Sequence, residues 1–206
     1  MLSVDILNTI VIPVLDLIIL AFSFYAAFLL LVGRIKHESS RFLDLPLELP
    51  TVTVLLVVKE EAEILRYTLQ RLFGMKYPKD KLHIMLVVDD DDEETVQTCS
   101  SFTGLEILKV KGRRGKASAL NQALSHIQSE LILLLDSDSI LEEDALEKML
   151  LIMRKQNTLA VSGIPYPLNE SEGLLPQIFR LECDAWAKMS SAKGRLGLLV
   201  QAPGSV

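Results

Sequence analysis

Leu131-Ile132-Leu133-Leu134-Leu135-Asp136-Ser137-Asp138 is the stretch on which the fold turns. Five consecutive apolar side chains without glycine or proline read as a buried strand. The run then ends in two carboxylates two positions apart. Ligands of open α/β sheets bind beyond the carboxyl ends of the strands, so Asp136 and Asp138 stand where a crevice should open. One carboxylate can hold a hard cation while the other reaches the same ion through water or takes a ligand hydroxyl. Mg²⁺ uses one or two protein carboxylates and fills its shell with water and phosphate oxygens. A helix N-cap is the competing reading, since Asp and Ser are favoured there. A cap needs one such residue, and Asp136 to Ser139 offer four.

The flanking sequence alternates between strand-like and helix-like periods. Thr51–Val58 is a continuous, largely β-branched run, as a parallel strand buried on both faces should be. Ile64, Leu65, Leu69 and Leu72 follow at helical spacing, with Gly74 as the C-cap. Leu82–Val88 is a second strand, running into Asp89-Asp90-Asp91-Asp92. A short helix over Glu93–Ser101 leads to a strand over Leu105–Val110. A polar loop, Lys111–Gly115, opens a helix over Lys116–Gln128. After Leu131–Leu135 come an amphipathic helix over Glu142–Lys155 and a fifth strand over Thr158–Val161. A last helix, Leu174–Lys188, carries Trp186, and its apolar residues Leu174, Leu175, Ile178 and Leu181 are expected to pack into the core, with a lipid- or partner-facing stripe as the alternative. Such alternation predicts an α/β fold: a Rossmann-like, mostly parallel sheet covered by helices on both faces.

Two further clusters carry chemistry. Asp89 and Asp90, nearest the strand end, are placed to accept hydrogen bonds from a nucleotide base or ribose, whereas Asp91 and Asp92 suit the start of a helix. Gly112-Arg113-Arg114-Gly115-Lys116 enters a helix N-terminus, where the dipole and the Lys116 ammonium attract the same anion, such as a diphosphate. It is not a P-loop: its glycines are too close together, and Ala117 stands where the metal-binding hydroxyl belongs. Arg113 and Arg114 read as solvated surface charge.

The N-terminal region has a different character. Ile10–Val32 is interrupted only by Pro13, Asp16 and Ser23. Its length as a helix is about 35 Å, enough to cross a hydrocarbon core of about 30 Å. Arg34, Lys36 and Arg41 follow it and no base precedes it, which predicts a single-pass membrane anchor with the C-terminal side cytoplasmic. The resulting organisation is an anchor over 1–36, a juxtamembrane linker over 37–50 and a catalytic-type domain over 51–206. Composition agrees. Of 206 residues, 50% are hydrophobic and 23% charged, which excludes intrinsic disorder. Mean hydropathy is +0.32, high for a chain wholly in water. With 21 basic and 27 acidic residues the net charge is −6, against a nucleic-acid partner held by a basic surface. Cys99 and Cys183 support neither a disulfide scaffold nor a Cys-rich zinc site, and read as small buried side chains. His37, His83 and His126 lack metal-ligand spacing.

Taken together, Val52–Val58 followed by Lys59-Glu60-Glu61, then Val87-Val88-Asp89-Asp90, Gly115-Lys116-Ala117-Ser118-Ala119-Leu120-Asn121 and Leu134-Leu135-Asp136-Ser137-Asp138 resemble glycosyltransferase family 2 and its GT-A domain in order and spacing. Pro50 to the end is covered, and the hydrophobic N-terminal segment resembles that of membrane-anchored members. The resemblance implies that Asp89 or Asp90 holds the uracil and ribose of a UDP-sugar and that Lys116 lies near the diphosphate. Asp136 and Asp138 would form a DxD motif for Mg²⁺ or Mn²⁺. Glu60 and Glu61 would help cradle the nucleotide, although the family has Asn-Glu where this chain has Glu60-Glu61.

The implied activity is a metal-dependent, inverting transfer of a sugar from a nucleotide-diphosphate donor to a lipid or glycan acceptor. The family's later Glu-Asp base motif and Gln-x-x-Arg-Trp motif do not occur; Glu182, Asp184 and Trp186 are arranged otherwise. The chain therefore reads as a donor-binding half. A non-catalytic, membrane-tethered nucleotide-sugar-binding or interaction module is the alternative. Other DxD chemistries fit less well. A dehalogenase-type phosphatase carries the motif on its first strand and adds a later acidic pair. For an EF-hand, Ile140 and Leu141 replace a ligand and the required glycine.

Overall fold

The computed structural model describes residues 7–34, 48–59, 62–111 and 115–198, and these fall into two compact units. Glu60, Glu61 and Gly112 to Arg114 lie outside the described residues.

One unit, residues 48–161 among those described, is the α/β body. Strands β1 (Val52–Val57), β2 (Leu82–Asp89), β3 (Leu105–Val110) and β4 (Leu131–Leu135) form a sheet in the order β3-β2-β1-β4. Every pairing is parallel. The Rossmann-like parallel sheet expected from the alternating pattern is thus the fold. Side chains alternate between two faces. Val52, Val54, Leu56 and Val58 join Ile84, Leu86 and Val88 in the larger core. Helices α2 (Ala62–Phe73), α3 (Glu93–Cys99) and α5 (Ala145–Gln156) close that face with Leu65, Leu69, Leu72, Cys99, Leu146 and Leu150. On the other face Leu55, Met85 and Val87 pack beneath α4 (Lys116–Leu124) through Ala119 and Ala123.

Right-handed crossovers account for this division. The chain steps from β1 to β2 to β3 in one direction, which puts α2 and α3 on one face. It then returns past β1 to reach β4, which puts α4 on the other. Register at β1 and β4 is secured by a reciprocal pair: Thr51 N–H donates to Glu130 Oε1 at 3.0 Å, and Glu130 N–H donates to Thr51 Oγ1 at 3.0 Å.

The second unit, 7–34 and 162–198 among the described residues, holds α1 (Ile12–Gly33), preceded by a π-helical turn at Leu7–Val11, and α6 (Leu174–Arg195). Thr9–Gly33 is long and apolar enough to cross a membrane. Tyr166 fixes the segment before α6, since its hydroxyl donates to Asp184 Oδ1 at 3.2 Å and its ring lies 3.9 Å beneath the Arg180 guanidinium.

Three expectations need correction. Thr158–Val161 forms no strand. The left-handed turn at Asn157 ends α5, Leu159 is fully exposed, and Pro165 and Pro167 follow closely, so the short run finds no ladder to join. Leu131–Leu135 is a strand at the expected bounds but is buried on one face only, whereas residues 52–56 are buried on both, as expected for the Thr51–Val58 run. Leu131, Leu133 and Leu135 face the larger core, whereas Ile132 and Leu134 are 41% and 43% exposed. The first half of α6 is not core either: Leu174, Leu175 and Leu181 are 72%, 79% and 68% exposed. The helix also continues past Lys188 to Arg195.

Candidate functional site

The reversal of strand order between β1 and β4 is the topological switch point of this sheet, where a crevice opens beyond the strand ends. Asp136, Ser137 and Asp138 follow β4 there, beside the end of β1. The N-cap reading of this cluster fails, because the next helix, α5, begins only at Ala145, with Asp144 at its cap position. These carboxylates are therefore not required by a helix end. Asp136 is 15% exposed at its side chain, Ser137 is buried and Asp138 is exposed.

The turn is held from two directions. Ser139 N–H donates to the Asp136 carbonyl at 3.1 Å. From α2, Thr68 donates its hydroxyl to the Ser137 carbonyl at 2.6 Å, across 69 positions of sequence. Thr68 is 1% exposed, so this bond is made away from water, where it is costly to leave unmade. Sequence reasoning passed over Thr68. Its signal was a hydroxyl set in the apolar stripe of Leu65, Leu69 and Leu72.

Lys116 is the first residue of α4, and Gly115 makes the entry with φ +84°, a backbone conformation suited to glycine. An ammonium here is repelled by the positive end of the helix dipole and needs a nearby anion. That anion is Asp136: Lys116 Nζ lies 2.5 Å from its Oδ1. The fold thus joins two motifs separated by 20 positions into one ion pair.

On the other side of β1, β2 ends at Asp89, half-buried and paired in register with Val110. Asp90 follows, its backbone N–H donating to the Val110 carbonyl at 3.2 Å and its carboxylate 3.9 Å from Lys111. Asp92 caps α3, accepting from the Thr95 N–H at 3.1 Å, the structural role read for it from the sequence. Asp89, Asp90, Lys116, Asp136 and Asp138 thus all stand at or just past the ends of β2 and β4 or at the start of α4, on the edge where such sheets bind ligands.

The donor set suits a hard divalent cation. Two carboxylates two residues apart match the few protein oxygens that Mg²⁺ or Mn²⁺ takes when phosphate and water supply the rest. Among the described residues no three His, Cys, Asp or Glu side chains come together as an all-protein metal cage. Asp184 has another employment, between the Tyr166 hydroxyl and Arg180 Nε at 3.7 Å.

Residues 53–196 match the family model described as glycosyl transferase family 2, and the chain belongs to that family. A probable glycosyltransferase of Bacillus subtilis (strain 168), YdaM, is 29% identical over 149 residues, covering 68% of this chain and 36% of the relative. The poly-beta-1,6-N-acetyl-D-glucosamine synthase of Staphylococcus aureus (strain COL) is 30% identical over 128 residues, covering 60% of this chain and 31% of its own length. This chain thus spans about a third of the length of these relatives. Among solved structures, the mannosyltransferase PcManGT of Pyrobaculum calidifontis, in complex with GDP-Man and Mn²⁺, superposes with a TM-score of 0.53 and 25% identity, covering 63% of this chain and 39% of that one. The α/β body is of the GT-A type expected from the motifs.

Proposed function

We propose that this chain is the donor-binding portion of a membrane-anchored glycosyltransferase that moves a sugar from a UDP-sugar to a lipid or glycan acceptor with inversion. The ion pair between Lys116 and Asp136 carries this reading, because it places a cation and an anion at the ligand-binding edge of the sheet, each able to exchange its partner for part of the donor.

Each residue then has a defined task. Asp89 and Asp90 accept hydrogen bonds from the base and ribose, and a ligand lacking those donors leaves a carboxylate unsatisfied. Released from Asp136, Lys116 pairs with the diphosphate at the N-terminus of α4, where dipole and ammonium reinforce each other. Asp136 and Asp138 would hold Mg²⁺ or Mn²⁺. Bound there, the metal would supply Lewis-acid stabilisation of the charge that grows on the UDP leaving group. Glu60 and Glu61 complete the proposed cradle after β1. Residues 1–36 serve as the anchor, 37–50 as the link and 51–206 as the catalytic-type domain, which the reading places in the cytoplasm. The mannosyltransferase solved with GDP-Man and Mn²⁺ supports use of a nucleotide sugar and a divalent ion. The polysaccharide-synthase relatives support a glycan or membrane-associated acceptor.

Calorimetric titration of UDP, with GDP as a comparison, tests this with and without Mn²⁺, in the native chain and in Asp136→Ala. Mn²⁺-dependent UDP binding that disappears in the variant is the expected result. Absence of nucleotide binding under every condition would overturn the donor site.

A further inference from the structure

The first half of α6 exposes Leu174, Leu175, Ile178 and Phe179, at 72%, 79%, 49% and 47%. Four large apolar side chains on two successive turns are an unusual load for a helix facing only water. The other end of the helix is basic, with Lys188, Lys193 and Arg195. The same helix packs on α1, and it does so at one particular level. From Thr9 to Tyr25 every side chain is exposed, and burial begins only at Ala26 and includes Leu29 at 0%. At that level the backbones nearly touch: a Cβ on Gly33 would collide with the Lys188 carbonyl. Arg195 Nη1 donates to the Val32 carbonyl at 3.2 Å, in the last turn of α1.

We propose that α6 is an interfacial helix that lies in the headgroup layer of the bilayer, with its apolar N-terminal half inserted and its basic end against anionic headgroups. This rests on the reading of α1 as a membrane anchor. If α1 spans, Ala26–Gly33 occupies the last ~10 Å of the crossing, the boundary between hydrocarbon and headgroups. A helix fixed there is held at the depth at which amphipathic interfacial helices bury an apolar face, about 5–10 Å into the boundary. Continuity with the lipid-facing surface of α1 and the charge of Lys188, Lys193 and Arg195 make the bilayer, rather than a second protein, the occupant of the exposed face. Glu182 and Asp184 are the acidic exceptions; both lie beyond the apolar turns, and Asp184 is engaged by Tyr166 and Arg180.

Trp186 is the only tryptophan of the chain and lies on α6, so it reports on this helix without labelling. The full chain is reconstituted into vesicles of phosphatidylcholine and phosphatidylglycerol that contain lipids spin-labelled either near the headgroup or at the acyl chain end. Trp186 emission should be quenched severalfold more by the shallow label than by the deep one. Leu175→Glu combined with Ile178→Glu should remove most of that quenching. Both sites are exposed, so the fold tolerates the change. A second probe, Leu175→Trp in Trp186→Phe, should show the same preference for the shallow label.

Resistance to an alkaline carbonate wash reports separately on α1. A chain that resists the wash while Trp186 and the Leu175→Trp probe stay unquenched overturns this inference and leaves the anchor standing. A chain released by the wash overturns the anchor, and this inference with it. Blue-shifted emission without lipid quenching identifies a protein as the occupant, and that also overturns the proposal.

Discussion

The Thr68 hydroxyl donates a 2.6 Å hydrogen bond to the backbone carbonyl of Ser137, so a buried residue of α2 holds the turn that carries Asp136 and Asp138. The bond acts on backbone, which leaves both carboxylates available for chemistry while fixing the peptide between them. Positioning of this kind is what a charge-binding turn needs, because a misplaced carboxylate gains little from its ligand.

Thr68→Val keeps the shape and removes the donor. The Ser137 carbonyl then stays buried without that partner, at a cost of about 1–3 kcal/mol. Urea denaturation should show the loss, and Thr68→Ser should recover most of it. Metal-dependent UDP binding should weaken in the valine variant even where the fold is saturated.

Lys116 and Asp136 should respond differently to substitution. Lys116→Ala removes a charge-assisted contact to phosphate and should lower UDP affinity about ten- to a hundredfold, with a weaker dependence on salt. Asp136→Asn should instead abolish the increment contributed by Mn²⁺ while leaving a residual metal-independent affinity. Titrations at two salt concentrations, with and without metal, separate these effects. Equal behaviour of the two variants would count against their assigned tasks.

Gly33 is required by close approach rather than by a turn. Gly33→Leu drives a side chain into the Lys188 carbonyl and should push α6 from the end of α1. Trypsin should then cleave more quickly after Lys188 and Arg195 in the folded chain, by an order of magnitude or so if the crossing opens locally. Cleavage at the native rate would show that the helices repack around the larger residue.

Cys99 is fully buried at the end of α3, and burial, with a smaller contribution from Asp92, raises its thiol pKa from 9.0 to about 11. The thiolate is disfavoured in the folded state. The corresponding stability is complete below pH 9.0 and is lost as pH rises through about 11, on the order of 3 kcal/mol. Urea midpoints measured across that window should fall more steeply for the native chain than for Cys99→Ala. At pH 8 iodoacetamide should label Cys99 only on unfolding.

Much of this was readable along the chain because it depends on local pattern. Leu105–Val110 and Leu131–Leu135 are strands at the bounds their apolar runs mark, and Lys116 begins its helix where the glycine before it allows. The carboxylates of Asp136 and Asp138 and the apolar length of Thr9–Gly33 are likewise properties of consecutive residues. The four-residue run Thr158–Val161 looked like a strand by the same criterion and is not one, because a strand needs a neighbouring ladder that no local pattern supplies.

Sequence by itself therefore determined the family, the parallel α/β body, the acidic turn after β4 and the presence of one long apolar helix. Tertiary structure alone decided that Lys116 meets Asp136, that Thr68 holds Ser137, that Ile132 and Leu134 stay half exposed, and that α6 crosses the end of α1 with its leucines outward. The physical reason is common to all four. Period and propensity act over a few residues, whereas the partner of an ammonium, a hydroxyl or an apolar face is chosen by which distant segment the packing brings beside it.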